Sequence, residues 1–142
     1  MTTRRKSRQS PPRLVRRRSK IAGWGVWTRD AITKNTRIVE YTGERISAKE
    51  SAKREARQLK KGQIWCFGVT QRTSVDAAVG GNIARFINHS CTPNCYSNII
   101  DGRVWICAGR AIRPGEELTY RYCTDGWAKM QCRCRPGCKT IL

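Results

Sequence analysis

The chain has 142 residues, enough for one domain with a single core and too few for a second domain. Its net charge of +19 favours polyanionic partners and repels basic peptides. No stretch approaches the roughly 18 apolar residues that span a bilayer, and no signal-peptide-like segment follows the first Met. We therefore expect a soluble intracellular protein without a membrane partner, whose eight cysteines are reduced.

The first 20 residues carry nine Lys or Arg and no acid. Residues 1–12 are polar, basic and closed by two prolines, which predicts a disordered arm. The arm and the basic surface suggest non-specific contact with nucleic acid, although a purely solubilising charge would explain the composition as well.

A strand-like pattern begins at Leu14, and a turn leads into Gly23-Trp24-Gly25. Glycines let the backbone approach a ligand closely, but a tight hairpin would explain them equally. The next strand pattern, residues 37–44, contains Tyr41, which the pattern alone makes an ordinary strand aromatic.

A capping box from Ser47 to Glu50 predicts the start of a helix that ends near Lys61, before Gly62. Its apolar residues form a narrow stripe, so most of the helix should face water. The stripe consists of Ala48, Ala52, Ala56 and Leu59.

The rest of the chain predicts short strands and turns, with Asp101-Gly102 as a strong hairpin signal. Many short strands and a single helix indicate a mostly β fold. The predicted strands are residues 64–70, 73–76, 95–100, 103–108 and 117–122.

One segment is denser in reactive side chains than any other, residues 85–95, with the sequence RFINHSCTPNC. It holds the chain's single His together with two Cys and two Asn. These side chains can bind ligands or metals, so the segment is a candidate site, with a cysteine-containing surface turn as the alternative.

The combination of RFINHSC…PNC, GEELTY-x-Y and a following cysteine cluster resembles the SET-domain protein lysine methyltransferases with a post-SET tail. The resemblance runs from about Val15 to the C-terminus and suggests a minimal, single-domain member. It implies a SET domain over residues 13–122 and a post-SET tail over 123–142. The fold it implies is a β-clip of several short sheets, in which the central motif and the last strand form a knot-like substructure.

The resemblance also implies that S-adenosyl-L-methionine is the cofactor and assigns the site residues. Tyr122 is the catalytic tyrosine, and Tyr120 and Tyr41 belong to the lysine channel. The residues assigned to the cofactor are Gly23, Trp24, Gly25, Arg85, Asn88 and His89.

Methyl transfer from a sulfonium to an amine is a single in-line displacement, so alignment of the reactants is the main task of the protein. The lysine must be neutral, although its usual pKa is about 10.4. An apolar channel and the nearby sulfonium both lower that pKa, and no strong base is required. We therefore interpret His89 as a structural residue of the cofactor site rather than as a base.

Residues two apart on a strand share a face, so Tyr120 and Tyr122 can reach one site. The family carries Phe or Tyr at the position of Tyr120. A hydroxyl there leaves less room for a methylated nitrogen, which predicts mono- or dimethylation.

Two features depart from the family pattern. Arg121 stands where an acid is common, and the cluster spacing is C-x-C-x3-C rather than C-x-C-x4-C. The family's ligand set implies a structural Zn²⁺ bound by Cys91, Cys132, Cys134 and Cys138, with Cys123 or Cys95 as substitutes. Without metal, the tail should be disordered and activity low.

The leading hypothesis is a protein-lysine N-methyltransferase acting on a histone or another nucleic-acid-associated protein. The alternative is a basic DNA- or chromatin-binding module with little or no catalysis, which Arg121 and the shortened cluster favour. A small redox or zinc protein would explain only the thiols. The expected location is the nucleus or chromatin if the protein is eukaryotic or delivered into a host, and the cytoplasm or nucleoid if it is prokaryotic.

Overall fold

A computed structural model of the chain describes residues 10–122 and 129–142. Most of the predicted basic arm, and Cys123, lie outside the described residues. Within the described part, no helix has both the length and the apolar character needed to cross a membrane.

The described chain forms short strands, one α-helix and one 3₁₀ turn, which confirms the predicted mostly β fold. The helix α1 is Ala48–Lys60, and the 3₁₀ turn is Ile83–Phe86. The strands are β1 Leu14–Arg18, β2 Trp24–Thr28, β3 Arg37–Glu40, β4 Glu44–Ser47, β5 Cys66–Gly68, β6 Thr73–Asp76, β7 Asn88–His89, β8 Cys95–Ile100, β9 Arg103–Ala108 and β10 Thr119–Tyr120.

The strands are arranged in four small sheets, with the orders β1-β2, β3-β9-β8, β4-β6-β5 and β10-β7. The antiparallel β8–β9 hairpin turns at Asp101 and Gly102, whose φ angles are 50° and 73°. Both values are those that a two-residue hairpin turn requires, so this prediction is confirmed.

The central motif pairs with the end of the GEELTY segment. Strand β7 runs parallel to β10, with Asn88 opposite Thr119 and His89 opposite Tyr120. This pairing confirms that the two segments tuck together. The last strand is shorter than predicted, because regular pairing ends at Tyr120. The strand predicted at 64–70 likewise reduces to β5.

A continuous apolar core lies between the sheets and contains side chains from nearly every strand. Its largest fully buried members include Val26, Ile87, Ile106, Ile112 and Leu118. A second, smaller cluster joins Cys132, Cys138 and Leu142 of the tail to Leu59 at the end of α1 and to Tyr122. The tail therefore packs against the helix end and the central motif together.

The buried face of α1 differs from the predicted one. The cap is as expected, with Ser47 Oγ accepting from the backbone N–H of Glu50 at 3.1 Å. However, Ala52 and Ala56 are exposed, whereas Ser51 and Gln58 are buried. The prediction that the alanine stripe is the buried face was therefore wrong, because the helix packs through polar side chains onto a buried carboxylate.

That carboxylate is Asp76, the last residue of β6, which is only 2% exposed. It accepts from Gln58 Nε2 at 2.9 Å, from Arg54 Nη1 at 3.1 Å and from the backbone N–H of Ala78 at 2.9 Å. Burial alone would raise the pKa of Asp76, but the three donors outweigh it and lower the pKa below its ordinary value. A polar network thus fixes α1 on its sheet.

Replacing Asp76 with Asn keeps the shape but places an amide donor opposite the Arg54 guanidinium. We expect a loss of about 2 kcal/mol in the free energy of unfolding at pH 7. Because the native pKa lies below the unfolded one, this contribution is present above about pH 4 and disappears as the pH falls through the native value. Urea denaturation at neutral and acid pH measures both effects.

The matched control is Glu50→Gln, which removes an exposed carboxylate from the same Arg54. It should destabilise the protein less than Asp76→Asn does. A gap between wild type and Asp76→Asn that stays constant down to low pH would contradict the assignment.

Candidate active site and metal centre

A cavity of about 750 Å³ lies where the loop before β2, the central motif and the tail meet. Its size suits a small-molecule ligand. The structure brings five of the six predicted cofactor residues to its wall, and Tyr122 with them. The predicted residues that line it are Gly23, Trp24, Arg85, Asn88, His89 and Tyr122.

Asn88 holds the wall of this cavity together. Its buried side-chain amide donates to the backbone oxygen of Trp24 at 2.8 Å and to Glu117 Oε1 at 3.1 Å. Glu117 Oε1 also accepts from Ser19 Oγ at 2.8 Å. Glu117 therefore links the G-x-G loop, β7 and the last strand, a role that the sequence analysis missed although the residue lies within the GEELTY motif.

Gly23 and Gly25 of this loop are required for different reasons, the first for its backbone conformation and the second for lack of space. Gly23 has φ +34°, a conformation that L side chains rarely adopt, and it lines the cavity. Gly25 does not line the cavity. A Cβ there would overlap the Glu117 carboxylate and press on Ser19, so Gly25 makes room for the link through Glu117.

Arg85 presents a polar group that the described residues leave unsatisfied. Its Nε is buried and has no hydrogen-bond partner among them, while Nη1 donates to the backbone oxygen of Ala77 at 3.3 Å. The guanidinium lies over the rings of Trp65 and Phe86, 4.9 and 4.8 Å from their centroids. Arg85 thus gives the cavity a positive, aromatic-backed wall.

A chain of aromatic rings leads from the cavity into the core. The ring centroids of Tyr122 and Tyr120 are 4.9 Å apart, those of Tyr120 and Phe67 are 6.4 Å apart, and those of Phe67 and Tyr41 are 5.4 Å apart. The rings of Tyr120 and Tyr122 are therefore neighbours, although Tyr122 lies just beyond β10. We call the rings of Tyr122, Tyr120, Phe67 and Tyr41 the aromatic row.

The hydroxyls of the outer two tyrosines are fixed by backbone carbonyls. Tyr122 donates to the oxygen of Ile87, and Tyr41 donates to the oxygen of Trp65 at 2.8 Å. Burial raises the pKa of both phenols above the ordinary value, so both are protonated at neutral pH. Neither is suited to abstract a proton.

His89 is held between Tyr122 and the cysteine cluster. Its Nδ1 accepts from the backbone N–H of Tyr122 at 2.9 Å, so the neutral ring carries its proton on Nε2, 3.6 Å from Cys91 Sγ. Burial, and then the charge of Arg121, lower the pKa of His89. Because both ring nitrogens are engaged, the geometry favours a structural role over a base.

Four cysteines converge into a potential metal site, as predicted. The Sγ atoms of Cys91, Cys132, Cys134 and Cys138 all lie within 4.8 Å of one another. Cys91 Sγ is 3.8 Å from both Cys132 Sγ and Cys138 Sγ, far longer than a disulfide bond. The group could hold a metal ion.

The shortened spacing is absorbed by a turn. Gly137 has φ +75°, and the backbone N–H of Cys138 donates to the oxygen of Arg135 at 3.2 Å. Of the two substitute ligands, Cys95 lies buried at the start of β8 and is not part of the cluster, so it is excluded as a ligand here. Cys123 falls outside the described residues.

Arg121 does not enter the aromatic row. It is exposed, and its Nη2 donates to the backbone oxygen of Cys91 at 2.9 Å. Arg121 therefore ties the segment just after β10 to the backbone at Cys91.

Comparison with known proteins identifies the same segments. A family model described as "SET domain" matches residues 23–123. The chain is 41% identical over 148 residues to the "Histone-lysine N-methyltransferase, H3 lysine-4 specific" of Aspergillus oryzae, covering 96% of this chain and 12% of the relative. The protein of the same description from Saccharomyces cerevisiae is 42% identical over 136 residues, covering 88% of this chain and 13% of the relative.

Solved structures also resemble this chain. The Chaetomium thermophilum Polycomb Repressive Complex 2 contains a chain that matches with a TM-score of 0.72 and 30% identity. The match covers 82% of this chain and 16% of that chain. This chain therefore spans a small fraction of the length of these relatives. On the family match and on the pairing of the central motif with the tyrosine strand, the chain belongs to the SET-domain family.

Proposed function

We propose that this SET domain is an S-adenosyl-L-methionine-dependent protein-lysine N-methyltransferase that mono- or dimethylates a histone or another nucleic-acid-associated protein. The observation that carries the proposal is the convergence of the cavity and the aromatic row at Tyr122. The names of the curated relatives make histone H3 the first substrate to test, and they support a location on chromatin.

The cavity residues fit the cofactor in size and chemistry. When bound, S-adenosyl-L-methionine supplies an electrophilic methyl group on a sulfonium. Trp24 forms part of the wall, Gly23 offers close approach of the backbone, and Arg85 offers the unsatisfied Nε. Asn88 and His89 complete the wall and fix its position.

In this proposal the aromatic row surrounds the side chain of the substrate lysine. Rings of Tyr41, Phe67 and Tyr120 exclude water, which lowers the pKa of an amine placed among them and favours the neutral nucleophile. The Tyr122 hydroxyl donates a hydrogen bond to the backbone oxygen of Ile87, so the lone pairs of its own oxygen can accept a hydrogen bond from the amine and orient it. The protein thus acts by desolvation and alignment.

We also propose that the ion in the cysteine cluster is structural Zn²⁺. Four thiolates about 2.3 Å from one zinc in a tetrahedron lie about 3.8 Å apart, the separation found between Cys91 and two of its partners. Four protein ligands leave no open position for catalysis. The metal would hold the tail that forms one wall of the cavity.

Tyr122→Phe tests the catalytic assignment. Removing the hydroxyl should lower methyl transfer from tritiated S-adenosyl-L-methionine to core histones about 100-fold, because the amine loses its orienting acceptor. The matched control is Tyr96→Phe, which removes a hydroxyl bonded to Asn35, outside the lining of the cavity, and should leave transfer unchanged. Wild type that labels no protein while both variants stay folded would favour the non-catalytic binding module.

Tyr120→Phe tests the product state. Without this hydroxyl the site has more room for a methylated nitrogen, so trimethyllysine should appear where wild type stops at mono- or dimethyllysine. Mass spectrometry of the labelled peptide after long incubation measures the distribution. Equal distributions in the two proteins would show that Tyr120 does not limit the product.

Removal of zinc should loosen the tail. We expect about one zinc per chain by elemental analysis, and loss of the metal in Cys138→Ser or after chelation. Amides of Cys132 and Leu142, which donate within the tail, should then exchange faster with solvent, and methyl transfer should fall. Cys66→Ser, which alters a half-buried thiol outside the cluster, should retain the metal. Metal-free wild type with a protected tail would contradict the proposal.

A further inference from the structure

The sheet of β1 and β2 carries a stack of alternating guanidinium groups and aromatic rings. Arg18 lies 4.3 Å from the centroid of Trp24, and Arg16 lies 4.4 Å from the same ring. Arg16 also lies 4.7 Å from the centroid of Phe86. Arg16 and Arg18 are two apart on β1 and therefore share a face. We call Arg16, Arg18, Trp24 and Phe86 the arginine face.

The charge on this face is not compensated. Within residues 10–122 and 129–142, no carboxylate forms an ion pair with Arg16, Arg17 or Arg18, whereas Arg13 pairs with Asp30 at 2.7 Å. Arg16 and Arg18 are exposed, and Trp24 is 37% exposed. The face thus presents concentrated positive charge to the solvent.

We propose that the arginine face binds the phosphate backbone of nucleic acid, with duplex DNA as the occupant. A guanidinium stacked on a ring keeps its N–H edge free to form two parallel hydrogen bonds to a phosphate. The rings also hold the arginines in place before binding, which reduces the entropy lost in the complex. The face is therefore a built anion-binding surface rather than a diffuse excess of charge.

The spacing favours a polynucleotide over an acidic protein. The guanidinium groups of Arg16 and Arg18 lie 4.4 and 4.3 Å from the same Trp24 centroid, so the two charges are close enough together to contact neighbouring phosphates, which repeat regularly along a nucleic-acid strand. Carboxylates on a folded protein have no such regular repeat. Trp24 and Phe86 also line the cavity, whereas Tyr41, Phe67 and Tyr120 lie outside the face. DNA would thus bind at the rim of the cavity, on the side of Trp24 and Phe86.

The test is binding of the full chain to a fluorescent DNA duplex, measured by anisotropy over a series of salt concentrations. Arg16→Gln combined with Arg18→Gln should weaken binding about 10-fold, and the slope of log K against log salt should fall by about 2. The matched control is Arg57→Gln combined with Lys60→Gln, which removes two exposed charges from α1 and should change the affinity less than about twofold.

Trp24→Leu separates stacking from charge, because it keeps every arginine and removes the ring between two of them. It should weaken DNA binding about threefold. Circular dichroism verifies that each variant is folded. The proposal is overturned if the arginine pair and the control pair bind DNA equally, or if Trp24→Leu binds as wild type does. It is also overturned if polyglutamate competes as well as DNA at equal charge. None of these readouts depends on methyl transfer.

Discussion

The parallel pairing of β7 with β10 is the interaction on which the site depends. The pairing involves only two residues from each strand, but it places Asn88 and His89 beside Thr119 and Tyr120. Asn88 then reaches the loop before β2 and Glu117, while His89 reaches the backbone of Tyr122. A contact of very long sequence separation therefore fixes both sides of the site at once, and buried side-chain hydrogen bonds transmit its geometry.

The same pairing connects the tail to the tyrosine. The His89 ring lies between the Tyr122 backbone and Cys91 Sγ, and Arg121 binds the backbone oxygen of Cys91. Tyr122 also packs against the cluster of Cys132, Cys138 and Leu142. The order of the cysteine cluster and the position of Tyr122 are therefore coupled, since His89 contacts both and the tail packs against Tyr122.

Local signals in the sequence predicted the elements that depend on local chemistry. The Asp101-Gly102 turn and the Ser47 cap follow from backbone preferences of a few residues, and both are confirmed. The prediction of which face of α1 is buried was wrong, because burial there depends on Asp76, a partner 18 residues from Gln58 in the sequence. Likewise Glu117 has no local signal, since its role exists only once Asn88 and Ser19 are brought to it.

The surface charge has two opposing effects on the proposed chemistry. Positive groups near the cavity, such as Arg85, disfavour a second positive charge and so help to keep an incoming lysine neutral. The same charge repels a lysine-rich tail at a distance, and ionic screening weakens this only beyond about 8 to 10 Å. A polyanion on the arginine face would neutralise the distant repulsion while leaving the buried site unchanged. Charge that is unfavourable for an isolated peptide substrate is then favourable for a lysine presented beside nucleic acid.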